Sequence, residues 1–77
     1  MNILIENGDT HEFLNAQSGW TKNPLEGKAY KNQRLAFGAA RQEPITRFNI
    51  VLHFPTTEQL VNLDHGRGKG EATESSS

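Results

Sequence analysis

Cysteine is absent from this 77-residue chain, which excludes the disulfide-stapled secreted scaffolds to which many stable chains of this size belong. Long apolar runs are lacking as well. The opening Met1-Asn2-Ile3-Leu4-Ile5-Glu6 sets Ile3, Leu4 and Ile5 in succession with no basic stretch before them, and no run approaches the roughly 18 residues of a membrane-spanning helix. A soluble cytoplasmic protein without membrane association is therefore expected. There is no strong excess of charge of either sign: the formal net charge is −1, so the dense basic footprint usual for nucleic-acid-binding domains is missing.

What charge there is lies unevenly. Residues 1–21 hold only acids, whereas residues 22–47 hold Lys22, Lys28, Lys31, Arg34, Arg41 and Arg47 against Glu26 and Glu43. Ordinary surface charge explains this first, and an anion-binding face second.

A chain this short forms one domain at most. Such domains bury only about 60% of their unfolded surface, while ordering costs roughly 1.5 kcal/mol per residue. Without a disulfide or an evident metal site, stability has to come from close packing, a partner or self-association. A homo-oligomer is expected.

Ile3-Leu4-Ile5, Asn7-Gly8 and Phe13-Leu14 read as an N-terminal hairpin, with Asn7-Gly8 suited to the positive φ angles of a type I′ turn. Between residues 16 and 31 the turn residues Gln17-Ser18-Gly19, Asn23-Pro24 and Glu26-Gly27 alternate with the isolated anchors Trp20, Leu25 and Tyr30, which predicts an irregular connection. Trp20-Thr21 can extend the sheet briefly. Asn32 can cap a helix in which Leu35, Ala36, Ala39 and Ala40 fall at helical spacing, and Pro44 prevents its continuation. Gly38 among those alanines suggests a helix lying close to a sheet.

Phe48, Ile50, Leu52 and Phe54 alternate with Asn49, Val51 and His53. This predicts a strand whose wholly apolar face lies under the helix and whose semi-polar face meets solvent, ligand or a second subunit. After it, Thr56 with Gln59 resembles a capping box, while Pro55–Glu58 also makes a hairpin loop returning Gln59–Leu63 beside the strand. The hairpin is favoured, since a helix of about eight residues is marginal alone. From Gly66 to Ser77 no large apolar residue occurs, so a disordered C-terminal tail is expected over 66–77, with a single domain over 1–65. The fold class is α+β, a small antiparallel sheet with one helix on one face in the order β-β-α-β-β.

No constellation of catalytic, cofactor-binding or metal-ligating residues emerges. His11, His53 and His65 lack the short spacings of zinc sites. Asp64-His65 sets a carboxylate beside an imidazole in sequence only, with no serine or cysteine nucleophile in reach outside the tail. Arg67-Gly68-Lys69-Gly70 carries too little charge to bind a phosphate polymer, with Glu71 and Glu74 at once behind it. Enzymatic activity is not indicated.

The succession Trp20-Thr21, Ala29-Tyr30, Ala36 and Ala40, then Phe48-Asn49-Ile50-Val51 resembles a pattern in small uncharacterised bacterial proteins of mobile elements, such as integron cassettes and phages. It spans about residues 10–55 and consists of hydrophobic anchors. The resemblance implies a β-β-α-β-β order and a bacterial cytoplasmic setting, and it brings no catalytic residues.

Three functional expectations follow. The first is a small non-enzymatic module that self-associates and binds another macromolecule, through the face carrying Asn49, Val51 and His53 with Trp20 and Tyr30, or through an unpaired strand edge. The second is nucleic-acid or other anion contact through Lys28, Lys31, Arg34, Arg41 and Arg47, with an aromatic side chain stacking on a base. The third is a small-molecule site or enzyme at a subunit interface near Trp20, Tyr30 and His53.

Overall fold

The computed structural model describes residues 2–70. Its elements are β1 (Asn2–Asn7), β2 (Phe13–Leu14), β3 (Trp20–Thr21), a 3-10 turn at Pro24–Glu26, α1 (Gln33–Ala40), β4 (Arg47–Phe54) and β5 (Gln59–Arg67). The strands form one five-stranded sheet in the order β3-β2-β1-β4-β5, antiparallel at every step. The protein is a small α+β fold. Its chain order, β-β-β-α-β-β, adds the short β3 to the expected one.

Apolar alternation decides the two faces. Ile3 and Ile5 stand opposite Leu52 and Ile50, and this set turns toward α1. Ile5, Leu14, Ala36, Ala40, Ile45, Phe48 and Ile50 form the main core, with Ile3, Trp20, Tyr30, Phe37 and Ala39 packed against it. The ring of Phe37 meets that of Phe48 edge to face at 5.1 Å between centroids. Helix α1 starts where Asn32 accepts a hydrogen bond from the Leu35 N–H through its side chain, at 2.9 Å, satisfying a donor that would otherwise lack an intrahelical partner.

The opposite face is not open. Leu4, Phe13 and Val51 make a second buried cluster there, and the chain folds back over it: a Cβ built on Gly27 would stand 3.4 Å from Leu4 Cδ1. Because β2 pairs with β1 only at Glu6–Phe13, the gap beside Ile3 is filled by the returning chain. Lys28 N–H donates to the Leu14 carbonyl and Tyr30 N–H to the Ile3 carbonyl, both at 2.8 Å. The irregular connection is thus a structural wedge that joins the two faces.

Four local expectations are corrected. The β1–β2 loop is wider than a type I′ turn: Asn7 N–H donates to Glu12 O, His11 N–H donates to Asn7 O, and the positive φ falls on His11 at 62°. Gly8 is needed instead for close approach, since a Cβ there would lie 2.8 Å from Arg47 Cγ. Leu35 is 52% exposed, its place toward the sheet being taken by Phe37. Gly38 faces open space, with nothing within 4 Å of a built Cβ, so it is not a point of close helix–sheet contact.

Residues 56–64 resolve as the favoured hairpin, with Glu58 N–H donating to Phe54 O at 2.7 Å and Glu58 in the left-handed region at φ 58°. The expected tail does not begin at Gly66. Strand β5 runs on through Arg67, and Gly68, Lys69 and Gly70 donate to Thr46, Glu43 and Ile45 carbonyls. Glycine is what permits this: a Cβ on Gly66 would come within 2.7 Å of Phe48 Cζ, and one on Gly68 within 2.5 Å of Ile45 O. Residues 71–77 lie outside the described residues.

Candidate interaction surface

Of the face proposed for contact, only Asn49 retains access, and it is half-buried. Its side-chain N–H donates to Glu6 Oε1 at 3.1 Å, and Glu6 Oε2 lies 3.4 Å from His11 Nδ1. Val51 and His53 are only 4% and 1% exposed. His53 lies beside the Asn23–Leu25 turn and Val51 packs with Leu4 and Phe13, so neither presents its side chain to a partner. Trp20 and Tyr30 are half-buried, both packed on the main core. Burial, and secondarily the Glu43 carboxylate, pushes the Tyr30 hydroxyl above its ordinary pKa.

The basic residues do not form one patch. Arg47 Nε donates to Asp9 Oδ1 at 2.9 Å, and Lys28 Nζ stands 5.2 Å over the Tyr30 ring. Lys31 is exposed ahead of α1. Arg34 and Arg41 do share a groove, together with Gln33, Phe37, Gly38 and Asp64; they lie two turns apart, about 10 Å along the helix. Across this groove Gln33 Nε2 donates to Asp64 Oδ2 at 3.5 Å.

Asp64 and His65 occupy successive positions of one strand, so their side chains take opposite faces. Asp64 is opposite Ile50, on the helix side, and His65 is opposite Asn49. Sequence adjacency creates no acid–base pair here. Among the described residues, no cluster of His, Cys, Asp or Glu is placed to hold a metal ion, and no helix is long and apolar enough to cross a membrane.

The surface that stands out is β5. It is the outer strand of the sheet, nine residues long, and Leu60, Val61 and Leu63 are 46%, 44% and 37% exposed. Pairing with β4 puts Leu60 opposite His53 and Val61 opposite Leu52, so these neighbours take opposite faces, and a register shift between Ile50 and Val51 leaves Leu63 without an opposite residue. That is a β-bulge. The sequence places Gln59–Leu63 beside β4, and that this strand borders the sheet follows only from the strand order.

No family model, curated protein or solved structure matches this chain. Function is therefore argued from its own surface.

Proposed function

We propose that this chain is a non-catalytic interaction module that self-associates through the first half of β5 and uses the same edge to accept a strand from another macromolecule. The observation that supports this most is the run Gln59-Leu60-Val61-Asn62-Leu63. It borders the sheet, it is exposed throughout, and it contains neither a charge nor a proline. Edge strands present unpaired N–H and C=O groups, and proteins that avoid pairing blunt them with lysines, prolines, bulges or a covering element. Here such devices begin only with the bulge at Leu63 and continue with the charges of Asp64 and Arg67.

Antiparallel pairing about a two-fold axis through Val61 sets Val61 against its own copy and Leu60 of one copy against Asn62 of the other. The contact is self-complementary, as a closed dimer requires, and its central Val61–Val61 pair stabilises it by about 0.2–1 kcal/mol. Strand addition by a different chain uses the same backbone groups.

Sedimentation equilibrium tests the proposal. The wild type should be a dimer or larger at about 50 and about 500 mM salt alike, because apolar and backbone contacts are little screened. V61K/L63K should sediment as a monomer that still unfolds cooperatively, with a melting temperature that no longer rises with protein concentration. A monomeric wild type, or a variant of undiminished mass, would sink the reading.

A second reading has one observation in its favour, the groove in which Arg34 and Arg41 bracket Phe37 and Gly38. A monomer that carries nucleic acid at low salt and loses it at high salt would bring that groove forward.

A further inference from the structure

Packing gives no reason for a glycine at position 38. An interior helix glycine lowers stability relative to alanine, and where one is kept the usual gain is close approach of a neighbour or a ligand. Here a built Cβ meets nothing within 4 Å, so the fold itself has room for a side chain. What the missing side chain leaves empty is the middle of a groove of about 520 Å³ between α1 and β5, lined by Gln33, Arg34, Phe37, Gly38, Arg41 and Asp64.

The two walls of this groove differ in chemistry. Arg34, Gly38 and Arg41 follow at intervals of four and three residues, so they share one helical stripe, with the bare backbone of Gly38 between two guanidiniums. Among the described residues, neither Arg34 nor Arg41 takes part in an ion pair. Two forks of N–H donors beside one notch match the oxygens of a phosphoryl group. On the other wall, Asp64 Oδ1 accepts from His65 N–H at 2.8 Å, and Oδ2 stands 3.5 Å from Gln33 Nε2, too far for a strong hydrogen bond. A carboxylate has about four acceptor sites, so Asp64 keeps capacity for N–H donors that a ligand brings. Half-buried Phe37 gives the floor an apolar surface. A ligand that suits all three parts carries phosphate at one end, a flat body, and neighbouring N–H groups at the other. An anionic group at that second end would meet Asp64 as a like charge.

We infer that this groove binds a guanine nucleotide, with the phosphate in the Gly38 notch between Arg34 and Arg41, the base over Phe37, and its N1–H and N2–H edge on Asp64. Guanine is the common base that offers two parallel N–H donors to a carboxylate. The site is separate from the Gln59–Leu63 edge proposed for self-association.

Titration of the full chain with guanosine 5′-monophosphate, followed by amide shifts in a heteronuclear spectrum, tests the assignment. Saturable shifts at Phe37, Gly38 and Asp64 are expected, with a dissociation constant of about 0.1–1 mM, as suits an open groove. R41Q removes charge-assisted hydrogen bonds and should weaken binding about tenfold. D64N should weaken it as much without weakening the binding of ribose 5-phosphate, which lacks the base. G38L fills the notch and should bind about tenfold less tightly or worse, yet melt no lower than the wild type, since leucine is a strong helix former. A guanine-containing RNA tetranucleotide that binds about tenfold tighter at low salt would identify a nucleic-acid strand as the source, and one that binds no tighter would point to the free nucleotide. Adenosine 5′-monophosphate binding as tightly as the guanosine ester, G38L binding undiminished, or no saturable shift up to about 10 mM ligand would overturn the assignment.

Discussion

The two ends of the β4–β5 hairpin share a sheet but not a covering. Near Gly66 the helix lies across it, Phe48 and Ile50 are fully buried, and Phe37 closes over them. Toward Pro55 the same face carries Leu52 and Phe54, both half-buried, and Val61, exposed. The difference is one of helix length. Eight residues of helix extend about 12 Å, whereas the eight residues of β4 extend about 26 Å, so α1 can roof only part of the strand. One end of the hairpin therefore carries stability, and the other is left available for contact.

Mutations that separate the two ends sharpen this contrast. The largest effect is expected from Phe48→Ala, which removes a fully buried ring and should cost about 3–5 kcal/mol, enough to unfold a domain of this size or nearly so. Phe54→Ala, at the uncovered end of the same strand, should cost less than half as much in urea denaturation. Equal losses would show that the ends are packed alike.

The glycines give a smaller contrast of opposite sign. Gly66→Ala forces a methyl into the Phe48 and Phe37 rings and should destabilise by about 1–3 kcal/mol. Gly38→Ala meets nothing within 4 Å and should stabilise by up to about 1 kcal/mol through helix propensity. Thermal melts of the two variants should move in opposite directions. A loss in both would mean that Gly38 is not at an open helix surface.

The smallest effect concerns pH. The Tyr30 hydroxyl has its pKa raised by burial and by Glu43, so the unfolded chain releases this proton first. Its contribution to stability is complete below the unfolded value of about 10 and falls as pH rises past it through the folded value. Tyr30→Phe should flatten the alkaline limb of stability against pH and leave it unchanged near neutrality. An identical alkaline limb in both proteins would exclude the role.

The elements themselves were legible from local pattern. Alternation in Phe48–Phe54 gave β4 and its buried face, Asn32 and Pro44 bracketed the helix, and the turn residues at Pro55–Glu58 placed the hairpin. Three features escaped. Burial of Val51 depends on Leu4 and Phe13 and that of His53 on the Asn23–Leu25 turn beside it, long-range contacts that no local pattern encodes. The reach of β5 beyond Gly66 depends on glycines, which read locally as loop, being required by the crowding of Phe37, Phe48 and Ile45. The bare edge of β5 was hidden because Leu60, Val61 and Leu63 look like core until the strand order is known. Apolar residues in sequence announce burial against something, and only topology tells whether that something is within the chain.

Amide hydrogen exchange along β5, measured at low and high protein concentration, tests most directly the claim that this edge is the contact. If it is, alternate amides of Gln59–Leu63 exchange freely in dilute solution and become protected as concentration rises, while those of β1 and β4 are protected throughout. Protection of Gln59–Leu63 that does not change with concentration would contradict it.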